Sequence, residues 1–365
     1  MAQQIMTVQG PISPAALGFT SMHDHIMFNG APIVKKHRQN LPEHRYPIRM
    51  DDQVSLENVG MLHRNIFLAA DAHNQDDEAA LCGEVADFKQ AGGQAILEVS
   101  VPGVSLDATA HLRISQQTGV HIIACTGLYT WDSWPEVYRG WSVAQHYQRM
   151  MREISQGLEN TAIRPGHVKI ALEYLNRDEE NALRAAAQAA KDSGLSLTVH
   201  PSSATGDRPR ILEMIKEEGL DLTRVVMAHT PVVDKPSFAE VMRRPESYRV
   251  NIGTALRMLD QGCNISKEFM NTLGLELLGA YDAGDWADMS GLVALISRGY
   301  GGQIVLGNDC CAKIMLRRFG GEGYCRLLWY TLPMLRDVAG VSALALQQIF
   351  TGNPARILAY EEVSA

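Results

Sequence analysis

The feature that most constrains the fold of this chain is a regular alternation between short apolar runs and longer helical patterns. Most of the apolar runs are rich in Val, Ile and Leu with little polar alternation, which is typical of parallel strands covered on both faces. We count eight such runs in the 365 residues, at positions 18–26, 94–101, 121–129, 167–174, 195–201, 224–230, 248–254 and 303–309. Between them, residues 106–119 and 179–194 predict helices that close on glycine.

Eight strand–helix units predict a closed (β/α)8 TIM barrel of the α/β class rather than an open doubly wound sheet. An open sheet usually carries a glycine-rich phosphate loop after its first strand, whereas the first run here leads into HDHIMFNG. No linker divides the chain, so residues 1–365 are predicted to form one domain. Long connections at 27–55 and 255–285 follow the first and seventh runs and are predicted to shape a substrate pocket at the carboxyl face.

Composition excludes several classes of partner. The chain has 33 Lys and Arg against 41 Asp and Glu, and this net charge of -8 argues against nucleic acid or an anionic membrane as partner. None of the six cysteines forms a CxxC pair, which is typical of free thiols in a reducing compartment. We find no signal peptide and no apolar run near the roughly 20 residues of a membrane-spanning helix. These features predict a cytoplasmic protein with a small-molecule substrate.

Polar residues with ligand or proton-transfer chemistry interrupt the apolar runs near their carboxyl ends. His23 and His25 lie two residues apart in the first run, so their side chains project to the same face of a strand. The later runs contribute Lys169, His200, His229 and Asp309. Because the carboxyl ends of barrel strands meet at one rim, we expect the six side chains to converge there.

Such a convergence predicts a metal centre, because buried imidazoles and charges are costly unless they are paired or coordinated. Imidazole and carboxylate ligands suit zinc, with manganese, cobalt and iron as alternatives. The simpler interpretations, a pair of hydrogen-bonded core imidazoles for His23 and His25 and a helix cap for Asp309, leave the remaining groups unexplained. An unpaired ammonium on Lys169 within an apolar strand would be especially unfavourable.

The ordered set of residues, with the segments around it, resembles the phosphotriesterase-like group of the amidohydrolase superfamily. The resemblance spans nearly the whole chain and is carried by TVQGPISPAALGFTSMHDH, HIIACTGLY, HVKIA, LTVHPSSATGD, VVMAHT, LGNDC and GVSALALQQIFTGNPARIL. It implies a barrel enzyme with two divalent metal ions. By the same resemblance, His23, His25 and Asp309 hold the more buried ion, and His200 and His229 hold the more exposed one.

The resemblance also implies that Lys169 is carboxylated on its amine and bridges the two ions together with a hydroxide. A carbamate offers two anionic oxygens, whereas an ammonium has no lone pair for a cation. The hydroxide would attack the substrate while Asp309 accepts its proton. Glu173, four residues beyond Lys169 with the same facing, stays open as an alternative ligand or a partner of the ligands, because some superfamily members use a glutamate bridge on this strand.

Two further residues are candidates for substrate binding. Tyr129 ends the third run, where the lactonases that the chain resembles place an aromatic substrate contact, although a packing tyrosine fits equally well. Arg257, after the predicted seventh strand, is a candidate to hold an anionic group, with a solvated arginine as the alternative. The resemblance implies hydrolysis of a lactone or carboxylic ester, including a sugar or phosphosugar lactone. Phosphotriester or phosphodiester hydrolysis is the alternative.

Other functions fit the sequence less well. A single-metal deaminase of this superfamily usually needs a glutamate shortly after the histidine of strand five, whereas His200 is followed by Pro201, Ser202 and Ser203. A non-catalytic ligand-binding barrel does not explain why all six site residues are present. Barrels of this group often pair, which leaves a homodimer as an option.

Overall fold

The structure, a computed structural model, describes residues 3–31, 33–34, 47–202, 207–234, 240, 243–247, 249–270 and 285–361. Its centre is a barrel of eight parallel strands, the third of which is interrupted at one residue. The strands are β1 (Thr20–Asp24), β2 (Ala95–Glu98), β3 (His121–Ile123 and Cys125–Leu128), β4 (His167–Leu172), β5 (Leu197–Pro201), β6 (Val225–Met227), β7 (Asn264–Glu268) and β8 (Ile304–Gly307). Two antiparallel strand pairs lie outside the barrel, Ile5–Thr7 with Gly10–Ile12 and Phe28–Asn29 with Asn74–Gln75.

Each barrel strand is hydrogen-bonded to the next one in the sequence. The barrel closes between β8 and β1, where the backbone N–H of Asp309 donates to the carbonyl of His23 at 2.8 Å. A side-chain carbon at Gly307 would lie 2.6 Å from Cβ of His23, so the close approach of these two strands requires glycine. This closure brings the ends of the first and last strands to one place on the rim.

Helices follow the strands and cover the barrel. They are α1 (Glu78–Gln90), α2 (Ala108–Thr118), α3 (Val143–Gln156), α4 (Arg177–Ser193), α5 (Arg208–Glu217), α6 (Gly253–Leu259), α7 (Asp285–Ile296), α8 (Ala343–Gln347) and α9 (Asn353–Leu358). The described residues also form a short helix at Val59–Leu62 and π-helical turns at Leu327–Thr331, Met334–Val338 and Gln348–Gly352. The helices predicted at 106–119 and 179–194 are confirmed, and both end at a glycine with φ near 70°, Gly119 at 67° and Gly194 at 76°.

The predicted seventh strand is wrong. Within the predicted segment 248–254, the described residues 249–254 do not form a barrel strand, and β7 lies instead at Asn264–Glu268. This strand does not form an apolar run, because it contains the charged residues Lys267 and Glu268. Both are buried, and each is paired with another side chain inside the protein. As a consequence, Arg257 lies in α6, which follows β6, and not in a loop after β7.

The long connections also differ from the predicted ones. The segment after β1 continues to α1 at Glu78, and it includes the basic stretch at 35–38, which lies outside the described residues. After β7, residues 271–284 likewise lie outside the described residues. No helix in the described part of the chain combines the length and apolar character that a bilayer crossing requires.

Candidate metal centre

The six side chains that the sequence predicts at the rim lie together at the carboxyl ends of the strands. They are His23 in β1, His25 directly after β1, Lys169 in β4, His200 in β5, His229 after β6 and Asp309 after β8. In barrels of this type, active sites form at the carboxyl ends of the strands.

His23, His25 and Asp309 form one compact group, in which one ligand atom of each residue lies within 4.8 Å of the others. Nε2 of His25 lies 3.3 Å from Oδ1 of Asp309, and Nε2 of His23 lies 3.7 Å from the same oxygen. All three residues are buried. Two imidazole nitrogens and a carboxylate oxygen at this spacing match the ligands of a zinc-type cation.

His23, His200 and His229 form a second group that shares His23 with the first. Nε2 of His229 lies 2.9 Å from Nδ1 of His200 and 3.8 Å from Oδ2 of Asp309. The His229 side chain is 23% exposed, whereas that of His23 is 0% exposed. The second group therefore lies nearer to solvent than the first.

Lys169 is fully buried beside the histidine that the two groups share, with its Nζ 3.3 Å from Nε2 of His23. Burial lowers the pKa of Lys169 to about 8. A neutral amine is the form of lysine that reacts with carbon dioxide, so burial favours the carbamate chemistry. The neighbouring strand reaches Lys169 through Gly127, where an added Cβ would lie 1.6 Å from the Lys169 carbonyl oxygen and where φ is 145°.

Glu268, the last residue of β7, belongs to the site and was not predicted. Its Oε2 lies 3.0 Å from Nδ1 of His229, and its Oε1 lies 3.2 Å from Nδ1 of His23. Burial alone would raise the pKa of this carboxyl, but His229 and His23 hold the pKa of Glu268 well below its usual range. The sequence offers little to identify it, because Glu268 is a single carboxylate between Cys263 and Phe269 and this segment has no apolar periodicity.

The partners of the Nδ1 atoms leave the Nε2 atoms of three histidines turned toward the site. The two carboxylate oxygens of Glu268 lie 3.2 Å from Nδ1 of His23 and 3.0 Å from Nδ1 of His229. Nδ1 of His25 lies 2.8 Å from Oγ of Ser100, which itself donates to the carbonyl of Met27 at 3.2 Å and therefore accepts from the imidazole. A partner at Nδ1 fixes the tautomer and the ring orientation, which leaves the Nε2 lone pair for a cation.

Two of the candidate ligands have a backbone conformation that is rare for residues other than glycine. His229 has a φ of 49° and Asp309 a φ of 51°, both in the left-handed region. The Glu268 carboxylate accepts a hydrogen bond from the backbone N–H of His229 at 2.9 Å, and the backbone carbonyl of His23 accepts one from the N–H of Asp309. Conformations of this kind cost of order 1–3 kcal/mol and cluster at functional sites.

The protonation states also fit cation binding. Burial, and after it the charge of Lys169, lowers the pKa of His23 to about 4, and burial holds the pKa of His200 well below the usual value. Burial alone would raise the pKa of Asp309, but the nearby rings of His23 and His25 hold this pKa below its usual range. Neutral imidazoles beside ionised carboxylates are the forms that bind a metal ion, so this donor set fits divalent cations.

The remaining predicted residues lie at different distances from this centre. The ring of Tyr129 contacts that of His200 edge-on, with centroids 5.6 Å apart. Glu173, one residue beyond the end of β4, is in neither of the two ligand groups found among the described residues. Arg257 is exposed on α6 and donates to Oγ1 of Thr254 at 2.9 Å.

Comparison with known proteins identifies the family. The model of the phosphotriesterase family matches residues 3–358. The chain belongs to the phosphotriesterase family. The N-acetyltaurine hydrolase of Rattus norvegicus is 27% identical to it over 99% of each chain. The crystal structure of a resiniferatoxin-binding protein from Rhodobacter sphaeroides has a TM-score of 0.82 at 26% identity, over 97% of this chain and 94% of that one.

A second solved structure, a lactonase from Listeria monocytogenes, shares the fold with a TM-score of 0.75 at 20% identity, over 98% of this chain and 100% of that one. These matches confirm the predicted barrel and the predicted family resemblance. As a member of the phosphotriesterase family, the chain is an enzyme, a hydrolase. The family typically depends on a binuclear metal centre, and the two ligand groups described above are the candidate site for it.

Proposed function

We propose that this phosphotriesterase-family member is a metal-dependent hydrolase that holds two divalent ions, zinc first and manganese, cobalt or iron as alternatives. The observation that carries the proposal is the pair of ligand groups that share His23, with the amine of Lys169 3.3 Å from its Nε2. His25 and Asp309 would complete the buried position, and His200 and His229 the exposed one. Lys169, once carboxylated, would bridge them. Residues 1–365 would form the single domain that carries this site.

When bound, two divalent ions would supply a hydroxide at neutral pH and polarise the substrate oxygen that becomes negative during attack. The chain supplies the rest. Asp309 is held ionised beside His25 and His229, which makes it the acceptor for the proton released during attack. Tyr129 lies over His200, where its ring would limit the position of the substrate.

We propose an acyl bond, in a lactone or carboxylic ester, as the bond that is cleaved. An amide is a second candidate, and it is favoured by the relatives named N-acetyltaurine hydrolase, one of which aligns with the chain from end to end. Both reactions need the same attack on a carbonyl carbon, so one centre serves either. Phosphoester hydrolysis is the outcome that the test below must exclude.

The test combines metal analysis with a substrate panel of lactones, carboxylic esters, N-acyl amides and phosphoesters. We expect turnover on at least one acyl substrate, loss of that turnover on chelation, and recovery when zinc, manganese or cobalt is returned. Full turnover after removal of all metal would overturn the metal-dependent mechanism. Turnover restricted to phosphoesters would overturn the acyl assignment.

A further inference from the structure

A cavity of about 450 Å³ opens directly beside the exposed ligand group and holds more charged residues than a pocket for an apolar substrate needs. His229 and Glu268 form the wall that it shares with the candidate metal centre. The charged residues of the remaining wall are Arg208, Asp234, Lys267, Asp285 and Asp288. Because the cavity adjoins the centre, it is the space that the non-reacting part of a substrate would occupy.

Arg208, the first residue of α5, is the unusual member of this wall. The residue is only 7% exposed, and its Nη2 donates to the backbone carbonyl of His229 at 3.0 Å. Its Nε is buried and has no hydrogen-bond partner among the described residues. Among the described residues, no carboxylate lies within ion-pair distance of the Arg208 guanidinium, although four acidic residues line the same cavity.

The acidic residues of the cavity are each occupied by another group. Oδ2 of Asp288 lies 2.6 Å from Nζ of Lys267. Asp285 forms an ion pair with Arg326, and Asp234 accepts from Nδ2 of Asn251 at 2.6 Å. The fourth, Glu268, contacts His23 and His229. The cavity therefore contains a cation whose charge the described carboxylates do not neutralise.

A buried guanidinium without a counter-ion is unfavourable, because it has lost hydration without gaining a partner. Burial accordingly lowers the pKa of Arg208, with Glu268 as an opposing influence. Arginine nevertheless stays charged in proteins and presents a planar set of donors that matches the two oxygens of an oxyanion. The residue lies in the wall of a substrate cavity, where its charge is suited to such a group.

We propose that Arg208 binds an anionic group of the substrate, a carboxylate or a sulfonate, and that the enzyme therefore prefers acyl substrates that carry such a group. This inference rests on the proposed acyl hydrolysis for its kinetic test. The anionic group occupies the cavity beside His229 while the acyl carbon lies at the metal centre. Arg208 acts as a specificity-determining residue, and the preference follows from the charge of this cavity-lining guanidinium, which has no ion-pair partner among the described residues.

The alternative is that Arg208 only holds the backbone of His229 through its Nη2. Kinetics on matched substrates separate the two roles. 4-Nitrophenyl hydrogen succinate carries a carboxylate, and its methyl ester is neutral. N-acetyltaurine carries a sulfonate, and N-acetylethanolamine is neutral. A substrate-binding role makes Arg208→Gln selective for the charged member of each pair, whereas a structural role lowers both members together.

We expect Arg208→Gln to lower kcat/KM about 10- to 100-fold for the charged substrates of the preferred type, as loss of a charged hydrogen bond does, and by less than about threefold for the neutral ones. The pair that responds distinguishes a carboxylate from a sulfonate. Arg210→Gln is the matched control, because Arg210 is an exposed arginine on the same helix. An equal loss on charged and neutral substrates would overturn the inference and leave the proposed function intact.

A second measurement needs no turnover. Methanesulfonate and acetate at millimolar concentration should raise the Tm of the metal-loaded wild-type protein more than acetamide does, and Arg208→Gln should abolish the difference. If this effect depends on Arg208 while no acyl substrate is hydrolysed, the anion site stands and the proposed function fails. If neither anion raises the Tm of the wild-type protein, the inference is overturned even where Arg208→Gln does not fold.

Discussion

Oε2 of Glu268 lies 3.0 Å from Nδ1 of His229 and also accepts the backbone N–H of that residue at 2.9 Å. The second oxygen of the same carboxylate lies 3.2 Å from Nδ1 of His23. One carboxylate thus fixes a histidine from each of the two ligand groups, including the residue that the groups share. Glu268 is a positioning residue, since it acts on the centre through these two imidazoles.

Replacing Glu268 by glutamine should weaken metal binding about 10- to 100-fold, the usual effect of losing a partner of a ligating histidine. A glutamine has one acceptor oxygen, so one of the two Nδ1–H groups would face an amide N–H instead. Competition with a chelator measures the affinity. Glu213→Gln, an identical change at an exposed position of α5, is the control. Equal metal affinities in the two variants would show that Glu268 does not position the ligands.

Asp309→Asn should lower kcat by about 10²- to 10⁴-fold, because the amide cannot accept the proton that the carboxylate receives. The fold should survive, since the backbone N–H of residue 309 still donates to the His23 carbonyl and closes the barrel. Steady-state kinetics and thermal unfolding measure the two quantities. Asp337→Asn, at an exposed aspartate, should leave both unchanged. An Asp309→Asn enzyme within tenfold of the wild type would remove Asp309 from proton transfer.

Gly127→Ala should destabilise the protein by about 2–4 kcal/mol, because the added carbon would collide with the carbonyl of Lys169 and because φ at residue 127 is 145°. Urea unfolding measures the free energy of unfolding. Gly60→Ala is the control, since Gly60 lies in a short helix with no atom within 4 Å of the added carbon. If Gly127→Ala is as stable as Gly60→Ala, the close approach of β3 to β4 is not as described.

A buried histidine in α3, which belongs to neither ligand group, predicts how stability changes in acid. His146 packs against Trp134 and Trp141, with ring centroids 5.7 Å and 5.3 Å away, and neither of its ring nitrogens has a hydrogen-bond partner in the described part of the chain. Burial, and after it the charge of Arg149, lowers its pKa to about 4. In the unfolded chain a histidine titrates near 6.5, so the unfolded state takes up the proton first. His146 therefore contributes stability above about pH 6.5 that is lost as the pH falls toward 4.

His146→Leu should flatten the dependence of the free energy of unfolding on pH between about 6.5 and 4, by up to about 3 kcal/mol over that window. Denaturant unfolding at several pH values measures the slope. His63→Leu, a change at a half-buried histidine in a loop, serves as the control. An unchanged slope in His146→Leu would show that this imidazole is protonated as readily in the folded protein as in the unfolded chain.

Apolar runs predicted seven of the eight strands, and the polar residues that interrupt those runs predicted six residues that meet at the rim. Both signals depend on local order in the sequence. The seventh strand lacked such a signal, because two of its five residues are charged. The pairing of Lys267 with Asp288, 21 positions later in the chain, makes that charge tolerable in the interior, and no local pattern reveals it.

Glu268 and Arg208 are not predicted from the sequence, because their positions depend on contacts between residues that are distant in the chain. Glu268 matters because β7 places it between two histidines that lie more than 200 positions apart, at 23 and 229. Arg208 begins an ordinary amphipathic helix, and no local pattern shows that it is buried with its Nη2 against the carbonyl of His229. The sequence predicts Arg257 as the anion-binding residue because the segment before it is taken for the seventh strand. In the structure Arg257 lies in α6, which precedes β7, and Arg208 lines the cavity beside the site instead.

In the proposed centre, Lys169 as a carbamate would join two metal ions at the rim. Metal analysis of the purified wild type and of Lys169→Ala, with Lys216→Ala at an exposed lysine as control, tests it most directly. We expect about two divalent ions per chain in the wild type and the control, with a carbamate signal after supply of ¹³C-labelled bicarbonate, and at most one ion in Lys169→Ala. Equal metal content in all three proteins, or a folded wild type that binds no metal, would contradict it.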